Sequence, residues 1–344
     1  MENIDGTLHK AKKPKLARWR ILGYVLGAGI YALNSLSLNT LSFNEPIIRG
    51  RIVYNAVPTD ENKEASNIEV LVDSENRIIL TANPGFYEKP VWSPEGNKVA
   101  FTSYPNEDFN PGDIYIKDLS TNLETKVVDD PADDYSPSWL DEAKIIFSSD
   151  RNGNYSIYSM NLRTNEVIKI SKNGLRNYYD PSVSPNGRKI AFTSDDGLYV
   201  MNADGSGEKI IFLEHSSSHS WSPNSGKVAF TDGQNIYIAD ADGNDIRSLT
   251  NIPEDGLQGI EYLTWSPDGH KIAFSKYSEE SDSLDIFIQG INSKRPIRVT
   301  GTPKIDEIEL DWYKPKLPVQ QHYKISPEGK YPTSWGLIKT KDLK

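Results

Sequence analysis

The chain has 344 residues, of which 37 % are hydrophobic and 10 % aromatic; that is enough apolar content for a packed core and too much for global disorder. Its formal charge is −10, and residues 1–20 hold six basic against two acidic side chains, so the remainder carries −14. A body this acidic repels phosphate backbones, which excludes nucleic acid as the main ligand. With no cysteine in the chain, disulfides and a lipid-modified N-terminal cysteine are excluded as well.

The chain opens on a basic segment, 1–20, carrying Lys10, Lys12, Lys13, Lys15, Arg18 and Arg20. An apolar run from Ile21 to Leu33 follows and continues more weakly to Leu38. Basic residues before an apolar stretch are the pattern of a secretory signal or an uncleaved signal anchor. Residues 21–38 are therefore expected to export the chain or hold it at the membrane, with 39–46 as a linker. Ser35-Leu36-Ser37 would serve as a small-residue cleavage site.

From there a motif returns about every 44 residues. Trp92-Ser93-Pro94-Glu95-Gly96 precedes Lys98-Val99-Ala100-Phe101, and Val183-Ser184-Pro185-Asn186-Gly187 precedes Lys189-Ile190-Ala191-Phe192. Trp221-Ser222-Pro223 and Trp265-Ser266-Pro267-Asp268-Gly269 introduce two more copies, and worn copies surround Trp139 and Trp312. Each unit reads as four short period-2 strands. The first ends at the Trp-Ser-Pro corner, and the second is the Lys-Ile-Ala-Phe run. The third is of the Asp113-Ile114-Tyr115 type, and an Asp/Asn/Gly turn leads to a fourth such as Lys209–Phe212. A repeat of this period and composition predicts an all-β, six-bladed β-propeller of four-stranded antiparallel blades over 47–313. The opening blade, from Arg51, lacks a first strand, and Ile308–Trp312 is a first strand with nothing after it. The C-terminal strand is expected to complete the N-terminal blade, leaving no open sheet edge. Residues 314–344 form a Pro- and Lys-rich tail.

The repeats resemble the TolB-type (WD-repeat-like) propeller family. Ser149-Asp150-Arg151-Asn152-Gly153-Asn154-Tyr155-Ser156-Ile157-Tyr158 and Leu198-Tyr199-Val200-Met201-Asn202-Ala203-Asp204-Gly205 match its repeat almost letter for letter. The likeness runs from about Arg49 to Tyr313 and does not include the α/β domain that precedes the propeller in TolB itself. It implies a fold rather than an activity, because propellers are scaffolds for many functions.

In this strand order, the loops joining fourth to first and second to third strands share one face, the upper face. They are rich in carboxylates, among them Glu107, Asp108, Asp150, Asp195, Asp196 and Asp232, with tyrosines between them. The candidate ligand-binding residues around the channel mouth are Glu88, Tyr135, Tyr179, Asp180, His219, Glu261, Tyr262 and Glu307, since tyrosine offers rigid contact area with a polar tip. A protein or glycan partner is expected there. The carboxylates are expected to add their potentials, interrupted mainly by Lys89, Arg151 and Lys276.

No cofactor is implied, apart from a Ca²⁺ ion that loop carboxylates could hold in the channel. Asp240-Ala241-Asp242-Gly243-Asn244-Asp245 starts like a calcium loop but has Asp245 where glycine is needed and Asn251 where glutamate is needed, so a hairpin turn explains it. His215-x-x-x-His219 falls in a Ser-rich loop, which does not suit zinc. The chain has no Gly-x-Ser-x-Gly elbow, phosphate-cradling glycine loop or cysteine nucleophile. The expectation is a monomeric, non-catalytic binding or scaffold protein of the cell envelope, membrane-anchored or secreted beyond the cytoplasm. The alternative is a carbohydrate-active lyase or hydrolase using channel-mouth carboxylates with His219.

Overall fold

The computed structural model describes residues 51–313, apart from 60–65, 73–75, 82–84, 105–110, 129, 173–175, 214–215, 217, 251–258 and 294. The basic segment, the apolar stretch 21–38, the linker and the tail lie outside the described residues, as do Glu107, Asp108 and His215. Among the described residues no helix is long and apolar enough to cross a membrane.

Six four-stranded antiparallel sheets form the propeller. Blade 1 runs from the channel outward as Ile305–Tyr313, Arg51–Pro58, Asn67–Leu71 and Arg77–Ile79. The remaining innermost strands are Phe86–Trp92, Asp134–Asp141, Tyr179–Val183, Ser218–Trp221 and Ile260–Trp265, in blades 2 to 6. Each touches the next, and the strand of blade 6 touches that of blade 1, so the ring closes. The expected closure is present: Ile52 pairs with Trp312 and Arg51 with Tyr313, antiparallel.

The motif residues hold this architecture in place. The Ser of the Ser-Pro corner accepts the N–H of the Lys five residues on, at 2.9 Å for Ser184 and Lys189 and 2.8 Å for Ser266 and Lys271, closing the turn into the second strand. Gly96 has φ +68, and an added Cβ would stand 2.0 Å from the Tyr313 ring, so both backbone and space demand glycine there. The corner Trp packs between blades: Trp139 and Trp221 donate their indole N–H to Val91 O and Ser182 O of the preceding blade. Six buried apolar clusters join successive blades, the last combining Ile286 and Ile288 of blade 6 with Ile52, Tyr54 and Trp312 of blade 1.

The fourth strand of blade 1 is short, ending at Ile79. Thr81 instead offers its hydroxyl to Ile68 N–H at 3.3 Å. The same device recurs where Thr250 accepts from Ile236 N–H and Thr300 from Ile286 N–H, both at 2.8 Å. A side-chain acceptor there replaces a ladder bond and ends the strand.

Candidate functional site

An innermost strand has a neighbour strand on one side only, so its other backbone groups face the channel and need partners. Polar side chains from the adjoining blade supply them. Lys89 N–H donates to Glu309 Oε2 (2.7 Å) and Trp92 N–H to Asp311 Oδ2 (2.8 Å). Val183 N–H donates to Ser138 Oγ (3.0 Å) and Leu263 N–H to Ser218 Oγ (3.1 Å). The channel wall is polar because it stitches six blades together.

The wall is also bent at one repeated point. In blade 2, Glu88 pairs with Thr102 and Val91 with Ala100, so Lys89 and Pro90 together oppose Phe101. The same two-against-one bulge places Ser136, Asp180 and Glu309 in blades 3, 4 and 1. These four residues take φ of 52°, 54°, 49° and 59°. Non-glycine residues rarely adopt that left-handed conformation, and bulges re-aim side chains. Here all four, three residues before the corner position of their blade, line a cavity of about 130 Å³ with His219, Tyr262 and Asp311.

Charge in the cavity is concentrated on few groups. Lys89 Nζ lies 3.2 Å from Asp180 Oδ1 and 5.4 Å from the centroid of the Tyr262 ring. Burial by itself would raise the Asp180 carboxyl, but the Lys89 ammonium and the Ser136 hydroxyl outweigh it and hold it below the usual range. Burial would likewise lower Lys89, yet Asp180, Glu309 and Glu88 raise it above the ordinary lysine value. Glu309, only 7 % exposed, is pushed up to about 8 by burial and then by the Glu88 carboxylate, against the pull of Lys89. Burial takes Asp311 up to about 6 and His219 down to about 4, so the imidazole is neutral at pH 7. Both nitrogens of His219 are buried without a partner at hydrogen-bonding geometry, although the backbone of Ala191 and Asp180 still acts on them.

Beside this cavity, Tyr155 links two of the expected tyrosines. Its ring meets Tyr135 edge-on at 5.4 Å and Tyr179 at 5.3 Å, and its hydroxyl donates to Asp133 Oδ2 at 2.6 Å. Tyr179 donates to Asp195 Oδ1 at 3.5 Å. Burial raises the Tyr135 and Tyr155 hydroxyls and takes Tyr179 up to about 12, so all three remain protonated donors at neutral pH.

Of the residues expected at the mouth, Asp180, His219 and Tyr262 line the cavity. Glu88 adjoins it, taking the Tyr104 hydroxyl at 3.1 Å; Tyr135 and Tyr179 form the neighbouring cluster, and Glu261 is exposed. Glu307 is elsewhere. It is fully buried, paired with Arg77 at 3.0 Å and hydrogen-bonded by Thr300 and Thr302. Glu309, two residues on, holds the channel position instead, because it is itself the left-handed first residue of the bulge opposite Tyr54, which re-aims its side chain. Lys89 and Arg151 do not merely interrupt an acidic surface: Lys89 neutralises Asp180, and Arg151 is bound by Asp134 at 2.8 Å and stacks 4.9 Å from the Tyr158 ring.

Among the described residues no group of three or more His, Asp or Glu is placed to hold a metal ion, and the Lys89 ammonium takes the cation position beside Asp180. The Asp240–Asp245 segment is a hairpin turn, with Gly243 N–H donating to Asp240 O at 2.7 Å and Lys227 paired with Asp240 at 3.0 Å.

A sequence profile of the TolB beta propeller domain matches residues 59–234, just over half of the chain. The chain belongs to the TolB β-propeller family. Among solved structures, TolB from Acinetobacter baumannii is 20 % identical over 76 % of this chain and 66 % of that one, with a TM-score of 0.63; the match thus spans slightly under two thirds of that protein's length. A TolB-designated protein from Agrobacterium tumefaciens is 16 % identical over 77 % of this chain and 99 % of that one, with a TM-score of 0.55. An oligogalacturonate lyase in complex with manganese is 17 % identical over 69 % and 71 %, with a TM-score of 0.50. At these identities the likenesses establish the shared fold.

Proposed function

We propose that this chain is a non-catalytic binding propeller of the cell envelope that captures a protein partner on its upper face. In this reading residues 21–38 export or anchor the chain, 47–313 form the binding unit, and 314–344 are an appended tail. The observation that carries it is the juxtaposition of Tyr135, Tyr155 and Tyr179 with the cavity lined by Lys89, Ser136, Asp180 and Glu309. Rigid aromatic contact area beside a few fixed polar groups is the composition of a protein-recognition surface. Strained backbone at four equivalent positions costs of order 1–3 kcal/mol each, a cost that a channel serving only as filler would not require.

The test is selection of peptides from a displayed random library on the immobilised full-length chain. Enriched peptides should lose binding to Tyr155→Ala and Tyr179→Ala while keeping it for a lower-face variant. Enrichment indifferent to the tyrosine variants would reject the reading, and retention on a glycan array with no peptide enriched would assign the face to glycans.

A carbohydrate-cleaving activity is the second reading, and one observation favours it: Glu309, at about 8, holds a proton it could donate near neutral pH. Release of new chain ends from oligogalacturonate or other polysaccharide fragments, abolished in Glu309→Gln, would establish it over binding alone.

A further inference from the structure

The channel already contains a cation seat, and a side chain of the protein occupies it. The Lys89 ammonium bridges blade 2 to Asp180 of blade 4 and lies over the ring of Tyr262 of blade 6. That ammonium goes to Asp180 rather than to Glu309. Glu309 receives instead the Lys89 backbone N–H, and among the described residues it forms no ion pair with lysine or arginine. A carboxyl that lines the channel, aimed inward by left-handed backbone and facing a second carboxylate on Glu88, thus meets no cation of its own.

Resting on the reading that the upper face binds a protein, we propose that the channel mouth seats a lysine ammonium or arginine guanidinium of that partner against Glu309 and the ring of Tyr262. Guanidinium suits the seat best, since its planar fork pairs with a carboxylate while its face stacks on an aromatic ring. Lys89 is then a tethered competitor: it satisfies Asp180 when the seat is empty and limits how strongly a cation can bind. The groups that act on Glu309 are Glu88, Lys89 and Tyr104 of blade 2, Asp180 of blade 4 and Tyr262 of blade 6, one cation among two carboxylates and two phenols. Because Glu309 holds a proton up to about pH 8, seating a cation there expels it, and binding strengthens as pH rises toward 8.

The experiment titrates the full-length chain with three capped pentapeptides, Gly-Ser-Xaa-Ser-Gly with Xaa as Arg, Gln or Glu, by calorimetry at pH 7.5. The Arg peptide should bind about tenfold more tightly than the Gln peptide, with the Glu peptide weakest, as expected for one charge-assisted contact. Glu309→Gln should erase the preference, and Lys89→Met, which removes the competitor while keeping the chain length, should enlarge it. A far-ultraviolet spectrum and melt on each variant confirm folding, and Glu88→Gln gives a second route to a reduced preference. Equal binding of the three peptides, a preference that survives Glu309→Gln, or no binding of the Arg peptide at millimolar concentration would each overturn the cation seat. Charge-blind peptide binding that Tyr179→Ala still abolishes would overturn the seat while leaving the binding face intact. Binding that Tyr179→Ala leaves unchanged while Glu309→Gln removes the preference would keep the seat and reject the tyrosine platform.

Discussion

Replacing Glu309 by Gln should make the propeller more stable in mildly alkaline buffer, and the sign follows from burial. In the folded chain Glu309 keeps its proton up to about pH 8, whereas in the unfolded chain it loses it near 4.5. Between those values the native state binds more protons than the unfolded state, so this residue's contribution to stability falls as pH rises through the window. Asp311 and Asp134, each raised to about 6, act in the same direction but only below that pH. His219, lowered to about 4 from 6.5, acts in the opposite direction below 6.5, where the unfolded state takes up the proton. From 6.5 to 8 Glu309 therefore dominates this set. At about 1.4 kcal/mol per pH unit per proton, the parent should lose roughly 2 kcal/mol across that interval relative to Glu309→Gln. In a domain of this size that is a Tm difference of roughly 4–8 °C. Thermal melts of both full-length chains at pH 6.5 and 8, in buffers of matched ionic strength, would measure it. Parallel pH dependences in the two proteins would refute the buried, raised carboxyl and the channel electrostatics built on it.

Other outcomes follow from the same structure. Ending the chain before Lys304 removes the strand paired with Arg51–Pro58 and should cause aggregation or a loss of several kcal/mol; a truncated chain that melts like the parent would contradict ring closure. Gly96→Ala places a Cβ against Tyr313 at φ +68 and should destabilise by about 1–3 kcal/mol, whereas Gly153→Ala, whose Cβ meets nothing within 4 Å, carries only the backbone penalty and should cost less in paired urea titrations. The full-length chain should sediment with membranes or leave the cytoplasm, while a chain starting near Asn44 should be soluble; cytosolic full-length protein with an intact N-terminus would reject the role given to residues 21–38.

The repeat made the fold legible. Trp92, Trp139, Trp221, Trp265 and Trp312 set the phase of the blades, and the Ser-Pro corners set the turns, because each such residue performs the same local task in every copy. The channel was legible only in part. The fourth-to-first loops of the repeat put Asp180, His219 and Tyr262 at the channel, but period-2 reasoning assumes an unbroken strand. The bulges at Lys89, Ser136, Asp180 and Glu309 carry neither glycine nor asparagine, so nothing in the residue types announces the left-handed backbone. For that reason the sequence puts Glu307, buried against Arg77, where Glu309 stands, and makes Lys89 look like an interruption of surface charge. Aligning the residue three before each corner would have gathered Lys89, Ser136, Asp180, Ser218, Tyr262 and Glu309 into one ring.

Site-specific photo-crosslinking in cells that express the full-length chain decides whether the upper face captures a protein. A photoreactive phenylalanine analogue would replace Tyr179 on the upper face in one version and Asn244, exposed in a turn on the opposite face, in the other. Capture on the upper face predicts a discrete protein adduct from position 179 that Tyr155→Ala weakens, and none from position 244. An adduct from position 244 alone, or equal adducts from both faces, would contradict it.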